Sequence, residues 1–295
     1  VLTFSQGKVN VTRYWHIQPN PDEKMTEAEW VEGLRAHLRQ AIESHMIADV
    51  PVGAFLSGGL DSGALVAVMS GSSKKSAAVK TFTVGFATDV GRFDERVAAR
   101  TVAERYHTDH YECVLEANVA DLLPKLVRTF DEPYADSSAV PTYYVAKETR
   151  KHVTVALNGD GGDESFAGYD RYIAMGLTEK YRRVPEFLRE SVIKETVKML
   201  PSSPTKRSMV RSAQRMLEGV SRPRVARYTH WVSVFNDETK RPLYSDFFRE
   251  QTQQASATGL LETWFKRGNG IGILDAMLLT DQMTYLPNDL LVKVD

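Results

Sequence analysis

The chain has 295 residues, enough for one large domain or for a core with an extension. Hydrophobic residues make up 42% and charged residues 25%, and the net charge of −1 excludes a broad electrostatic attraction to nucleic acid or to an anionic membrane. No apolar run approaches the roughly 20 residues that span a bilayer, and no basic-then-apolar leader pattern opens the chain.

The first residues read as a hairpin, with Val9, Val11 and Thr12 following a Gly7-Lys8 turn candidate and leading into Tyr14-Trp15. The start at Val1 and the apolar stop at Leu290–Asp295 read as the ends of a fragment. Thr26 followed by Glu29 fits a capping box, and Val31, Leu34, Leu38, Ala41 and Ile42 recur behind it at helical spacing, predicting a helix to about Ala48. Val52 to Leu56, bounded by Pro51 and by Gly58-Gly59, predicts a buried strand, and a helix follows with Leu65, Val66 and Met69 inward. Thr81–Val84 reads as the second strand, and Asp94 to Tyr106 as a helix with Val97, Ala98 and Val102 inward. Tyr111–Leu115 is the third strand. It carries Cys113, the single cysteine, which excludes an internal disulfide and a cysteine zinc site and makes a reducing cytoplasm the default compartment. His107 and His110 flank Asp109, but their spacing fits no standard metal motif. Val119, Leu122, Leu123, Leu126, Val127 and Phe130 form the cleanest amphipathic stripe; Ser137 to Lys151 reads as helix with Pro141 in a first turn, and Val153–Leu157 as the fourth strand.

From Gly176 the strand signal fades. Leu188, Val192 and Val197, then Val210, Ala213 and Leu217, then Leu260, Leu261 and Trp264 predict a run of helices, with Trp231 and Trp264 as packing residues. Lys206, Arg207, Arg211 and Arg215 make one of them basic, which reads as a solvated face because the chain as a whole is not basic.

Strands alternating with helices at this spacing predict βαβ units, hence a doubly wound α/β fold with a mostly parallel sheet. Ligands of such sheets bind beyond the carboxyl ends of the strands, which here means just after Leu56, Val84, Leu115 and Leu157. Ser57-Gly58-Gly59-Leu60-Asp61-Ser62 stands after the first strand and before a helix. Glycines let backbone approach a ligand, helix-start amides favour an anion, and the two hydroxyls add donors, so the segment reads as a phosphate cradle. It lacks the Gly-Lys-Ser/Thr of a Walker A loop and the glycine spacing of a dinucleotide fingerprint. Asp61 inside an anion site calls for a bridging cation, which points to magnesium shared with phosphate oxygens. Asn158-Gly159-Asp160-Gly161-Gly162-Asp163-Glu164, after the fourth strand, concentrates acidic groups that also need metal–phosphate counter-charge.

Ser57–Ser62 resembles the PP-loop of the ATP-pyrophosphatase superfamily, which cleaves ATP between the α and β phosphates. Asn158–Glu164 is similar to the second pyrophosphate loop of glutamine-dependent asparagine synthetases, and Asp131-Glu132-Pro133, Ser137–Thr142 and Tyr285–Asp295 resemble the same family. The resemblance runs from Tyr14-Trp15 to the last residue and is weakest between about Leu177 and Ile273. It implies an adenine-nucleotide-hydrolase-like core over residues 26–175, a mostly helical extension over 176–295, and a linker over 1–25 from an N-terminal glutaminase domain.

By the same resemblance Leu56 and Val84, with Gly85 beside it, receive the adenine. Ser57, Gly58, Gly59, Asp61 and Ser62 hold the phosphates, Asn158 and Gly159 border the nucleotide, and Asp61 and Asp163 hold magnesium. Asp160 stands where the family usually has a Glu, and Asn158 where it has a Ser. The implied chemistry is attack of a carboxylate, led by that of aspartate, on the α-phosphorus, then displacement of AMP by ammonia. Asp61 and Asp160 are the catalytic candidates, with Asp160 orienting the nucleophile or taking its proton.

The ammonia comes from a glutaminase domain headed by a catalytic Cys. The family also continues past Asp295 into a helix and loop with a Glu and a later Lys, so the fragment alone is expected to be weakly active or inactive. Three other readings compete with aspartate amidation: another carboxylate such as a polysaccharide-linked acid, a silent nucleotide-binding domain, or a PP-loop enzyme acting on RNA. Retention of Asp61, Asp160 and Asp163 argues against the silent domain. No nucleic-acid or membrane partner is expected, and a homodimer is one oligomeric option.

Overall fold

The computed structural model describes residues 1–22, 24–72, 78–86, 94–115, 119–189, 199, 214, 216–217, 219–252, 255–268 and 270–294. The chain divides into two compact units that interleave along the sequence: Glu23–Phe166 with Tyr285–Asp295, and Val1–Asp22 with Ala167–Thr284. No helix among the described residues is long and apolar enough to cross a membrane.

The first unit holds the sheet and opens with α1 (Glu27–His45). The Thr26 hydroxyl accepts from the Glu29 amide at 3.3 Å, and the Glu29 carboxylate accepts from the Thr26 amide at 2.8 Å, closing the expected capping box. The helix ends at His45, just short of the expected Ala48. Its stripe is covered only at the C-terminal half: Ile42 is buried and Leu38 packs beside it, while Val31, Leu34 and Ala41 are exposed. Replacing Thr26 with Ala is expected to cost about 1 kcal/mol and lower the melting temperature by a few degrees. An unchanged melt would show that tertiary contacts alone fix this helix end.

Strands β3 (Val52–Phe55), β4 (Lys80–Phe86), β5 (Asp109–Leu115) and β6 (Val155–Leu157) form a parallel sheet in the order β5-β4-β3-β6. The strand period of two sorts β3. Val52, Ala54 and Leu56 point into a core with Ile42 of α1, Leu65, Val66 and Met69 of α2 (Leu60–Ser72), and Ala99 and Ala103 of α3 (Arg96–Tyr106). Gly53 lies on the opposite side, where an added Cβ would come within 2.8 Å of the Phe82 ring.

Helix α3 is turned from the expected face. Val97 is 69% exposed and Ala98 is exposed, whereas Ala99 and Ala103 are buried with Val102 beside them. Small side chains let this helix approach so closely that a Cβ on Gly58 would lie 2.5 Å from that of Ala98. Helix α4 (Val119–Phe130) buries Leu122 and Leu126 against Ala139 of α5 (Ala139–Thr149) and leaves Val119, Leu123 and Val127 exposed. Pro141 sits in the first turn of α5, where its missing N–H costs nothing.

The other unit begins with a hairpin of β1 (Leu2–Ser5) and β2 (Lys8–Val11), paired Leu2↔Val11 to Ser5↔Lys8. Its turn residues Gln6 and Gly7 have φ of 51° and 74°, both positive as a tight two-residue hairpin loop requires. Further on, Tyr172 and Met175 of α7 (Asp170–Tyr181) pack with Tyr228, Phe265 and Met277 from the helices Arg224–Val232, Ala257–Arg267 and Ile273–Met283. Trp264 is buried and Trp231 packs on this core, so both are packing residues, while Leu260 is exposed. The guanidinium of Arg13 lies 5.3 Å over the Trp264 ring. Val192, Val197, Val210 and Ala213, and the basic set Lys206, Arg207, Arg211 and Arg215, lie outside the described residues.

Candidate active site

Strand order fixes where a ligand can enter. From β3 the chain steps to β4 and β5 on one side, then returns to place β6 on the other side of β3. β3 and β6 therefore flank a switch point, where an open parallel sheet offers a crevice at its carboxyl edge. A cavity of about 370 Å³ lies there, lined by Leu56, Ser57, Gly59, Asp61, Ser62, Val84, Asn158, Gly159, Asp160 and Asp163 among others. All of these were expected from sequence. Gly58 and Gly85 do not line it. Gly58, at φ 78°, is pressed against α3, and a Cβ on Gly85 would meet the Arg96 side chain at 2.5 Å.

The β3 loop is wound on itself. The Ser57 and Ser62 hydroxyls lie 3.0 Å apart, Ser62 Oγ accepts from the Ser57 amide at 3.2 Å, and Ser57 Oγ accepts from the Gly59 amide at 3.3 Å. These donors are gathered at the start of α2, where the helix dipole also favours an anion. In the β6 loop the Asn158 side chain bonds both the Asp160 amide and the Asp160 carboxylate, each at 3.1 Å, which sets the loop's path.

The two loops interlock. A Cβ on Gly159 would lie 2.9 Å from the Ser62 amide nitrogen and 3.0 Å from Asp61 Cβ, and one on Gly162 would lie 2.5 Å from Asp61 Cγ and Oδ1. Only glycine permits this approach. Asp61 and Asp163 line the same cavity, and no group of three or more His, Cys, Asp or Glu able to enclose a metal occurs among the described residues. That donor set fits magnesium, which takes one or two carboxylates and completes its shell with phosphate and water oxygens.

Asp160 keeps solvent access, yet the surrounding protein raises its carboxyl above the ordinary range; Lys293 opposes the rise, and Glu164 and Asp136 add to it. Four further polar lining residues carried no role in the sequence reading: Thr83, Glu95, Thr142 and Lys293. Lys293 donates to Asp136 Oδ2 at 2.9 Å and to Ser138 Oγ at 2.7 Å. Burial works against charge on Asp136, but the Ser138 hydroxyl and amide and the Lys293 ammonium outweigh it and hold the carboxyl below its usual range. Thr142 and Lys293 belong to runs that resemble the family, but nothing in their local spacing marks them as site residues.

A model of the asparagine synthase family matches residues 33–295. The chain belongs to the asparagine synthase family. It is 31% identical over 269 residues to asparagine synthetase (glutamine-hydrolysing) 1 of Bacillus subtilis, covering 91% of the chain and 40% of that protein. Proteins bearing glutamine-hydrolysing asparagine synthetase names match in Methanocaldococcus jannaschii (37% over 191 residues, 64% of the chain and 36% of the relative) and Mycobacterium tuberculosis (32% over 288 residues, 97% and 42%). The chain thus spans about two fifths of the length of these relatives.

Two side features stay outside the site. Cys113 is half-buried on β5, and burial pushes its thiol up, away from nucleophilic behaviour. His110 bonds Thr81 at 2.8 Å and His107 caps α3 in the left-handed region, so neither is arranged as a ligand.

Proposed function

We propose that this chain is the synthetase part of a glutamine-dependent ligase that joins ammonia to a carboxylate, using ATP and magnesium. The single observation that carries the reading is the interlock of the two loops at the switch point. It presses Asp61 against Gly162 and the Ser62 amide against Gly159, which makes one continuous phosphate cradle from two motifs.

In this reading Leu56 and Val84 receive the adenine by backbone contacts at the strand ends. Ser57, Gly59, Asp61 and Ser62 surround the phosphates, and Asn158 and Gly159 close the nucleotide's edge. Asp61 and Asp163 hold magnesium, which when bound offsets the charge of the departing pyrophosphate. The side-chain carboxylate of aspartate attacks the α-phosphorus to form β-aspartyl-AMP. Ammonia then attacks that carbonyl, AMP leaves, and asparagine results. Asp160 orients the ammonia or takes its proton; a carboxyl held above the ordinary range is the better acceptor. The residues before α1 connect this part to a glutaminase domain that supplies the ammonia, in line with the glutamine-hydrolysing names of the relatives.

One observation favours a second reading, in which the acid is not aspartate. By the family resemblance Asp160 stands where a Glu is usual, one methylene shorter, and Asn158 where a Ser is usual, one amide longer, in the loop where the acyl-adenylate would form. Pyrophosphate release by the full-length protein, with ATP, magnesium and ammonia and a panel of acids, separates the two. Release that requires aspartate and yields asparagine supports the first. Release with another acid alone moves the substrate and keeps the chemistry. No release with any acid, while ATP binds, would return the chain to a silent nucleotide-binding domain.

A further inference from the structure

The charge of the cavity is one-sided. Asp61, Glu95, Asp160 and Asp163 line it, and among the described lining residues Lys293 is the one lysine or arginine. Two of those carboxylates would offset a bound magnesium ion, so the phosphate chain of a nucleotide would still need a positive partner besides the loop amides.

Lys293 is built for such a role rather than left on a surface. Its side chain is 7% exposed, and two of the three ammonium donors are fixed by Asp136 and Ser138. Asp136 is itself fixed, because both the amide (2.9 Å) and the hydroxyl of Ser138 donate to it. The segment that carries Lys293 is also held down: the Tyr134 hydroxyl donates to the Asp289 carbonyl at 2.7 Å, and Leu286 packs over Gly161. The rotamer freedom of a long side chain is therefore already lost before any ligand arrives, which makes its remaining donor a preorganised one. Its charge acts on Asp160, whose loop abuts the Ser62 amide through Gly159.

We infer that Lys293 is the side-chain cation for the part of ATP that leaves as pyrophosphate, with Asp136 and Ser138 as the residues that position it. The inference rests on the ATP-site reading above and extends it to a residue no motif assigns.

The test is calorimetric binding of ATP, AMP and inorganic pyrophosphate to the full-length protein in magnesium, with no acceptor acid present. Lys293→Gln is expected to weaken ATP and pyrophosphate by roughly tenfold or more and to leave AMP nearly unchanged, since a hydrogen bond to a charged group is lost only where those phosphates bind. Lys293→Arg should recover most of the affinity. If Lys293→Gln melts early, the pair Asp136→Asn/Lys293→Gln removes both charges and leaves no carboxylate stranded, and the same pattern is expected of it. Unchanged ATP and pyrophosphate binding in these variants would overturn the inference while the ligase reading stands. Equal weakening of AMP and ATP would reduce Lys293 to a structural tie. A wild-type protein that binds no nucleotide would bring down the ligase reading and this inference together.

Discussion

Gly162→Ala is expected to lower pyrophosphate release by on the order of a hundredfold while leaving the thermal melt almost unchanged. The new Cβ would sit 2.5 Å from Cγ and Oδ1 of Asp61, closer than non-bonded atoms allow. What must yield is the end of a short side chain, because Gly162 opens α6 (Gly162–Phe166) with no backbone strain for alanine to meet. The fold therefore survives and the Asp61 carboxylate swings out of place. Asp61→Ala removes the same group directly and should match it in rate. Gly159→Ala is the contrast: its Cβ meets the Ser62 backbone nitrogen at 2.9 Å, so the loop itself has to shift and stability falls with activity. Pyrophosphate release and thermal denaturation of the three variants check this. A Gly162→Ala protein that turns over at the wild-type rate would mean that the position of Asp61 does not matter to the chemistry.

The parts of this molecule that were legible in sequence are those with a short period or a short loop. The four parallel strands were visible because apolar runs bounded by turn residues mark buried strands, and the two cavity-lining loops because each packs Gly and Asp into a few residues after a strand. The misread surfaces have a common cause. Periodicity reports which side of a helix is apolar, but not how much of that side a neighbour covers, so α1 and α4 show stripes wider than their buried faces. In α3 the spacing of Val97, Ala98 and Val102 pointed to one face, but the core takes the small Ala99 and Ala103, and Ala98 makes the close contact with Gly58. Lys293 was beyond reach for another reason. Its anchor Asp136 is 157 residues away, and only the folded sheet brings the two to one cavity. The resemblance to a family marked the runs containing both residues without joining them.

The same limit hides a buried carboxylate in the helical unit, and Asp281→Ala is expected to destabilise that unit by about 3–5 kcal/mol. Asp281 is completely buried, in the last turn of the helix Ile273–Met283. It accepts from the hydroxyls of Tyr172 and Tyr228, which lie 109 and 53 residues away, and pairs with Arg171 at 3.0 Å. Arg171 also stacks 3.8 Å over the Tyr169 ring, so its guanidinium cannot simply turn out to water. Burial, then the bond to Asp281 and its charge, drive the Tyr172 hydroxyl well above its usual range, and that proton stays on the oxygen as a donor. Removing the carboxylate takes the acceptor from two buried hydroxyls and the opposite charge from a mostly buried guanidinium at once, and each loss adds its own desolvation cost. Tyr228→Phe removes one donor and leaves Asp281 with its other partners, so a loss nearer 1–2 kcal/mol is expected. Denaturant unfolding of both variants, followed by tyrosine fluorescence, gives the comparison. Equal losses in the two would mean that Asp281 contributes no more than one ordinary hydrogen bond. A large gap between them would identify the carboxylate as the point where the helices of this unit are locked together.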